Sequence, residues 1–397
     1  MMLRQFAFFA LASALLAVTP AKGQARAPII PPLPVPPVEH VVTAQAQPVI
    51  VAVDPPPASV TCADGAARLV HGEAPLGRAS YYFPGLTLAR ENRTAFSFRI
   101  APDGRPLTIT RRPDAPTRAS PANYTLFMPD DQLESALATW AFAASPQGHA
   151  DCRVEFVARA TGLAETPRER LLTVLAYTQP GPAANLPLFK QAGLADGDCQ
   201  TNPRPQALEL HFPDPDRIPP RPGELQWVMY RFDIDAHGVP VNSVRLAGQA
   251  TPQLDQAGHA ALAAGRYQAR PRTGCIMIFR RQAGTLAAPP TPRPGAFRRE
   301  DDDCPGGDVL TYPGPPTYPP HFAALGVEGW AILRFDVASW GAVGNVEVLA
   351  AEPADAFGTY AKSHLQGAKA KTPGRAYRGC ILPVHFKEPG ATPAAPN

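Results

Sequence analysis

The spacing of the cysteines constrains this chain more than any other feature. The chain has 397 residues and six cysteines, and the pairs Cys199/Cys275 and Cys304/Cys380 are each separated by 76 positions. Equal intervals of this kind indicate an internal repeat. A phenylalanine followed six positions later by a glycine occurs inside each of these intervals and also between Cys62 and Cys152, as Phe98/Gly104, Phe232/Gly238 and Phe335/Gly341. The sequence therefore predicts three copies of one small module.

Each copy has the same predicted order of elements. Apolar and polar residues alternate up to Ile100, Ile234 and Val337, which is typical of a half-buried strand. The glycine that follows allows a reversal into a second strand. Helix candidates come next, starting at Asp130, at Thr251-Pro252 and near Phe357, and the second cysteine of each pair opens a final strand. The predicted fold class is α+β, with three tandem β-β-α-β modules.

The repeat also selects a disulfide pairing. Six cysteines allow 15 pairings, and the repeat favours one of them: Cys62–Cys152, Cys199–Cys275 and Cys304–Cys380. Closing a loop of about 75 residues stabilises a small module by ~4 kcal/mol in the chain-entropy model. The alternative, a metal site, lacks any CxxC or clustered Cys and His residues, so no metal is expected.

The N-terminus has the layout of a secretory signal peptide. Arg4 precedes an apolar run from Phe6 to Val18, and small residues follow. The run is shorter than the ~20 residues that a membrane-spanning helix needs. We therefore expect residues 1–25 to be a cleaved signal peptide and the mature protein to lie in an oxidising compartment, where paired cysteines persist.

Proline-rich stretches separate the predicted domains. Fifty prolines, about one residue in eight, argue against an all-helical bundle. The predicted domains are a signal peptide (1–25), a Pro-rich spacer (26–58), module 1 (59–165), module 2 (183–285), a linker (286–303), module 3 (304–388) and a disordered tail (389–397).

Charge and motifs exclude several classes of function. The 37 Lys and Arg residues nearly balance 34 Asp and Glu, and no basic stripe is present, so nucleic acid is not expected as a partner. The signatures HExxH, GxSxG, GxGxxG and the P-loop are absent from the sequence. We therefore expect that the protein is not an enzyme and that it has no catalytic residues, no cofactor and no bound small molecule.

Three short patterns have two interpretations each. Asp233–Gly238 has some features of a calcium loop but reads better as a hairpin turn. Glu300–Asp303 is interpreted as a solvated acidic linker, with a hard-cation site as the alternative. Trp227 and Trp330 begin corresponding strands and are either exposed peptide contacts or buried packing residues.

Module 3 resembles the TonB C-terminal domain family over residues 310–388. Module 2 is similar to it more loosely and module 1 more weakly. The residues that carry the resemblance in module 3 are Thr317-Tyr318-Pro319-Pro320, Ala324 to Gly329, Phe335-Asp336-Val337 with Gly341, Asn345-Val346, Ala351 to Ala354 with Phe357, and Pro373-Gly374.

The resemblance implies a periplasmic protein that binds extended peptides by adding them as a strand to the edge of its sheet. The implied partner is an outer-membrane receptor or another envelope protein. Pro383 lies in the strand concerned and is tolerated only where the missing N–H faces outward or at a bulge. The implied peptide-binding residues are Thr317, Tyr318, Pro319, Ile381, Leu382, Val384 and Phe386, with Ile276 and Ile278 in module 2.

Two alternatives remain open at this point. The first is a membrane-anchored energy transducer whose N-terminal apolar run is not cleaved. The second is a structural envelope protein whose modules pair with one another and leave no free strand edge. The availability of strand edges separates the peptide-binding prediction from this second alternative.

Overall fold

A computed structural model describes residues 47–82, 87–88, 91–113, 123–124, 130–177, 182–305, 309–372 and 374–387. The predicted signal peptide and tail lie outside these residues. Within them, no helix is both long and apolar enough to cross a membrane. The helices are α1 (Asp130–Ala138), α2 (Arg168–Tyr177), α3 (Pro182–Gln191), α4 (Pro252–Ala264), α5 (Pro320–Ala324) and α6 (Asp355–Leu365).

Twenty strands lie among the same described residues. They are β1 (Gln47–Val53), β2 (Ser59–Cys62), β3 (Gly65–His71), β4 (Arg78–Tyr82), β5 (Thr87–Leu88), β6 (Glu91–Ile100), β7 (Pro106–Arg111), β8 (Asn123–Tyr124), β9 (Ala141–Phe142), β10 (His149–Gly162), β11 (Ala207–Glu209), β12 (Gln226–Ile234), β13 (Pro240–Gln249), β14 (Arg266–Tyr267), β15 (Arg272–Arg281), β16 (Leu310–Thr311), β17 (Gly329–Val337), β18 (Val343–Glu352), β19 (Lys369–Ala370) and β20 (Tyr377–Phe386).

The chain contains three units with the predicted β-β-α-β order. We call them unit 1 (β6, β7, α1, β10), unit 2 (β12, β13, α4, β15) and unit 3 (β17, β18, α6, β20). In each unit the first strand is central and pairs antiparallel with the second strand on one side and the last strand on the other. This mixed architecture of small antiparallel sheets with helices is consistent with repeated small modules.

The local sequence explains the hairpins and helix starts. In unit 2, one carboxylate oxygen of Asp235 accepts hydrogen bonds from the N–H groups of His237 and Val239, both at 2.8 Å. Gly238 adopts a φ of +79°, which an L side chain rarely allows. The hairpin interpretation of Asp233–Gly238 is confirmed. The Thr251 hydroxyl then accepts from the N–H of Leu254 and caps α4 as predicted.

All three predicted disulfides are formed. Cys62 bonds to Cys152, Cys199 to Cys275 and Cys304 to Cys380. Each ties the segment that enters a unit to the unit's last strand.

Units 1 and 3 share one hydrophobic core. Phe96 and Phe156 of unit 1 and Leu333 and Phe357 of unit 3 belong to the same buried cluster. The N–H of Ile109 in β7 donates to the carbonyl of Pro353 at 2.9 Å, which joins the two sheets at their edges. The two units therefore pack as one body.

Two buried carboxylates hold this junction together. Glu352 in unit 3 accepts from the Arg99 guanidinium at 2.9 Å and from the backbone N–H of Thr108 at 2.6 Å, both in unit 1. Glu134 in α1 accepts at 3.0 Å from the N–H of Ala356 at the start of α6. The N-cap residue of α6 is an alanine without a capping side chain. Glu134 therefore caps a helix of another unit.

The free face of unit 2 is covered by helices that follow unit 1. Trp227 and Met229 point away from α4 and pack with α2 and α3, together with Ile50 of β1. Trp227 is 2% exposed, and the corresponding Trp330 of unit 3 is 3% exposed. The packing interpretation of both tryptophans is confirmed, because their side chains fill the core and do not reach solvent.

Strand β1 differs from the sequence-based expectation. Residues 47–53 fall inside the predicted spacer (26–58), yet they form a buried strand between β4 and β10. The run Val49–Val53 is entirely apolar and four of its five residues are β-branched, which favours a strand. The surrounding prolines had obscured that pattern.

Loss of the Glu134 cap should loosen the junction between units 1 and 3. We expect Glu134→Ala to lower the free energy of unfolding by about 2 kcal/mol, because a buried N–H at a helix start loses its acceptor. Urea denaturation followed by tryptophan fluorescence measures this. The control Glu347→Ala removes a surface carboxylate 3.5 Å from Arg299 and should cost less than about 0.5 kcal/mol. Equal losses in the two variants would contradict the capping role.

Candidate functional site

The last strand of each unit lies at the side of the sheet to which a further strand can add. In β10 the carbonyl of Val157 accepts from the N–H of Asp54 at 2.9 Å, away from β6. Backbone groups alternate in direction along a strand, so those of Arg153, Glu155 and Val157 face outward. Counting from the disulfide cysteine, the outward positions are Ile276, Ile278 and Arg280 in β15 and Ile381, Pro383 and His385 in β20.

Unit 1 fills its own outer edge. Strand β1 pairs with residues 158–162 of β10, and Thr61 of β2 pairs with Arg153. The segment Pro55–Pro57 passes between them, beside Glu155. Residues 47–63 of the same chain thus run along the entire outer edge of β10.

In units 2 and 3, the entering segment is hydrogen-bonded to the start of the last strand. The N–H of Thr273 donates to the Asp198 carboxylate at 2.7 Å, and that of Arg378 donates to Asp303 at 2.6 Å. These aspartates immediately precede the disulfide cysteines Cys199 and Cys304. Beyond these ties, β15 and β20 pair with no further strand among the described residues.

The surroundings of Asp198 favour the charged form of its carboxyl group. The hydrogen bond from the Thr273 backbone lowers the pKa of the Asp198 carboxyl, and the neighbouring Arg272 lowers it further. The carboxylate therefore stays charged at neutral pH and anchors the start of β15.

Side-chain burial reflects the difference between covered and open edges. Val154, two positions after the disulfide cysteine of unit 1, is 6% exposed. Its counterparts Met277 in unit 2 and Leu382 in unit 3 pack against their cores but are only partly buried. This difference agrees with the absence of a further strand beside β15 and β20 among the described residues.

Unit 3 differs from unit 2 at the centre of the open edge. Pro383 stands three positions after Cys380, and Ile278 stands three positions after Cys275. Pro383 pairs with Ile332 in a regular part of the ladder, without a bulge. Its missing N–H therefore belongs to the outward side, which is one of the two cases that the sequence analysis left open. The edge of β15 has one more donor than the edge of β20.

The linker before unit 3 lies against that unit. The Trp330 indole N–H donates to the carbonyl of Pro289 at 2.8 Å, and the short turn Pro294–Phe297 lies against β20. The side chain of Asp302 is 1% exposed and forms an ion pair with Arg334. The solvated interpretation of Glu300–Asp303 is therefore wrong for Asp302, because this carboxylate is itself buried and pairs with a cationic side chain.

The structure distributes the predicted peptide-binding residues over three environments. Thr317 is exposed, Tyr318 packs on Phe386 with its hydroxyl donating to the carbonyl of Val327 at 2.8 Å, and Pro319 is buried. Val384 and Phe386 belong to the core, and Leu382 packs against it. The backbone groups of Ile381 face the outer edge of β20.

In unit 2, the backbone groups of Ile276 and Ile278 face the outer edge of β15. Their side chains pack against the cluster around α2 and α3.

Sequence reasoning missed a group of exposed apolar residues beside unit 2. Leu208, Leu210 and Phe212, which we call the apolar strip, are 66%, 45% and 69% exposed. Their alternation with Glu209 and His211 was visible in the sequence as a short strand-like pattern. That pattern alone does not distinguish a surface strip from a half-buried strand.

A cavity of about 710 Å³ is a second concave feature of the molecule. It lies between α1, α2 and the segments 221–225 and 321–325. Its wall holds a His71–Glu224 pair at 3.1 Å and an amide of Gln249 at 3.4 Å from Glu73. These polar groups are of mixed sign and select no class of ligand, so the strand edges remain the stronger candidate site.

A cluster of potential metal ligands at the first disulfide is not a candidate metal site. Asp64 and His149 lie close to the Cys62 sulfur, with the Asp64 carboxylate 3.0 Å from His149 Nδ1. The sulfur of Cys62 is bonded to Cys152 and offers no thiolate ligand.

Comparison with known proteins supports a TonB-like segment in this chain. No protein-family model matches it. The protein TonB of Escherichia coli (strain K12) is 35% identical over 77 residues, which are 19% of this chain and 32% of that protein. The chain thus spans about a third of the length of this relative.

The Asp302–Arg334 ion pair should make the free energy of unfolding depend on pH in the acid range. Hydrogen bonds from Arg334 hold the pKa of Asp302 below its usual value. The charged carboxylate therefore stabilises the folded protein fully above the unfolded pKa of ~4, and this stabilisation is lost as pH falls through the lower pKa of the folded state. We expect Asp302→Asn to lower the free energy of unfolding by about 2 kcal/mol at pH 7. The difference from wild type should shrink below pH ~4. Urea denaturation at several pH values measures it, and a difference that does not change with pH would contradict the ion-pair assignment.

Proposed function

We propose that this protein is a non-enzymatic TonB-related protein of the cell envelope that binds extended peptide segments by strand addition. The outer edges of β15 and β20 are the binding sites in this proposal. The observation that carries it is that β15 and β20 have no strand partner along most of their length among the described residues, whereas residues 54–61 of the same chain lie along the equivalent edge of β10.

The physical basis is the hydrogen-bonding capacity of an unpaired strand. Outward N–H and C=O groups at Ile276, Ile278 and Arg280 are satisfied by water or by an added strand. A partner strand replaces water on both chains at once, and its alternate side chains set specificity. Unit 1 supports this reading, because the same kind of edge accepts an extended segment within the same chain.

The resemblance to TonB proteins implies the identity of the partner. We propose that it is an outer-membrane receptor or another envelope protein that offers an extended segment, in a role accessory to transport across the outer membrane. A periplasmic location after removal of residues 1–25 is part of the proposal. The anchored transducer, with that segment retained, is the alternative that mass spectrometry of the mature N-terminus would distinguish.

One observation favours a second candidate function. Units 1 and 3 share a core, and unit 1 uses its edge for its own chain. A structural envelope protein would extend this self-pairing to its remaining edges. Binding of a peptide to β15 separates this candidate from the first.

The residue pair Ile278 and Pro383 provides the test. We expect Ile278→Pro to weaken peptide binding to unit 2 about fivefold, because it removes one outward donor worth ~1 kcal/mol. Since unit 3 already has proline at this position, the fold should accept it. Fluorescence anisotropy with a fluorescein-labelled peptide of the sequence of residues 47–53 measures the affinity, with the full chain as the binding protein.

Two controls complete this experiment. Ile278→Ala keeps the N–H and should retain most of the affinity, whereas Pro383→Ile restores a donor in unit 3 and should increase the bound peptide per chain. Absence of saturable binding to the wild-type protein, or equal affinity of wild type and Ile278→Pro, would contradict strand addition at β15.

A further inference from the structure

We propose that the apolar strip, Leu208, Leu210 and Phe212, determines which peptides unit 2 accepts, by packing against apolar side chains of the strand that pairs with β15. This inference rests on the proposed function and assigns its specificity to residues that lie outside the sheet. The partner it implies is an extended segment with apolar residues at alternate positions.

The path of the chain places the strip beside the open edge. The segment begins at β11, which pairs with β14. It ends at Ile218, whose carbonyl accepts from Arg281 Nε at the end of β15, at 3.0 Å. Between these points the Phe212 ring lies edge-on to Phe279 of β15, with centroids 6.5 Å apart. The segment therefore runs alongside β15, on the side of the sheet that faces α4.

The exposure of the strip is unusual within this molecule. Among the described residues, seven large apolar side chains are exposed, and three of them lie in this one short segment. In unit 3 the corresponding segment starts at β16, where Leu310 is 1% exposed, and Tyr312 stacks on His364 at 4.6 Å. Unit 3 thus covers its segment, whereas unit 2 leaves the strip uncovered. A cluster of this kind marks an interaction site.

The geometry of an added strand determines the chemistry of the partner. Side chains of a strand alternate between the two faces of the sheet. On the α4 face, an added strand would place every second side chain between the partly buried Met277 and Phe212. Only apolar side chains gain free energy there, because the surroundings offer an aromatic ring and a thioether. A polar or charged residue at these positions would lose hydration without finding a partner.

The molecule itself shows what kind of segment fits an outer edge. Val49, Val51 and Val53 of β1 lie on the outer edge of β10 along residues 158–162, where β10 continues past the positions equivalent to β15, and all three are at most 3% exposed. They alternate with Ile50 and Ala52, which pack into a different cluster. An extended apolar segment of another envelope protein is therefore the occupant that we assign to the strip and the β15 edge, in preference to a folded partner or a second copy of this chain.

The test compares two exposed aromatic residues of the full chain. Phe212→Ser should weaken binding of the labelled 47–53 peptide roughly tenfold, since an aromatic anchor at an interface is lost. Trp340→Ser removes a 78% exposed aromatic residue from the hairpin of unit 3 and should leave the affinity unchanged. Both substituted residues are exposed, so equal melting temperatures are expected and verify that each variant folds.

A second peptide tests the partner side of the inference. Replacement of the three valines at positions 49, 51 and 53 by threonine keeps the shape and β-propensity but adds hydroxyls. We expect this peptide to bind roughly tenfold more weakly to wild type. Its affinity for the Phe212→Ser variant should be only slightly lower than its affinity for wild type, because the contact is already lost. If the losses from the peptide change and from Phe212→Ser simply add, a direct contact between the strip and this face of the peptide is overturned.

The outcomes separate this inference from the function on which it rests. If Ile278→Pro weakens binding and Phe212→Ser does not, strand addition stands and the strip proposal is overturned. If the peptide does not bind wild type at all, the function itself fails. If wild type self-associates in analytical ultracentrifugation and Phe212→Ser is monomeric with unchanged peptide affinity, the strip is a contact between copies and our assignment is overturned.

Discussion

The unpaired backbone of an edge strand is the constraint on which the rest of this structure depends. Each β-β-α-β unit has a three-stranded ladder whose last strand turns one row of N–H and C=O groups outward. Unit 1 satisfies that row with residues 47–63 of its own chain. Units 2 and 3 anchor the start of that row through Asp198 and Asp303, and no strand pairs with the rest of it among the described residues. The same small fold therefore occurs once with a closed edge and twice with an open one.

The packing around the two open edges differs. Units 1 and 3 share a core, and each contributes a buried carboxylate to the other. Glu134 of unit 1 caps α6, and Glu352 of unit 3 accepts a hydrogen bond from Arg99. The linker before unit 3 adds Pro289 against Trp330 and a turn against β20. Unit 2 instead uses α2 and α3 to cover the face that carries Trp227. Its outer edge keeps the donor at Ile278 and an exposed aromatic neighbour, Phe212.

The sequence was sufficient for those features that depend on a local pattern or on the internal repeat. The repeat predicted all three disulfides, and alternation with a following glycine predicted the hairpins of the three units. It was not sufficient where long-range contacts decide. The apolar run of β1 was hidden among prolines, and Asp302 looked solvated because its partner Arg334 lies 32 positions away. The apolar strip was missed because exposure is a property of the packed unit, whereas Pro383 was interpretable because proline has no N–H in any context.

Residue-resolved amide hydrogen exchange is the most direct measurement of the central claim. In the free protein we expect the amides of Arg159 and Thr161, which pair with β1, to be protected, while those of Ile276, Ile278 and Arg280 exchange rapidly. Addition of the peptide of residues 47–53 should slow exchange at these three amides and leave their inward neighbours Met277 and Phe279 unchanged. Protection of the outward amides in the free protein, or no response to the peptide, would contradict an open edge that binds an extended segment.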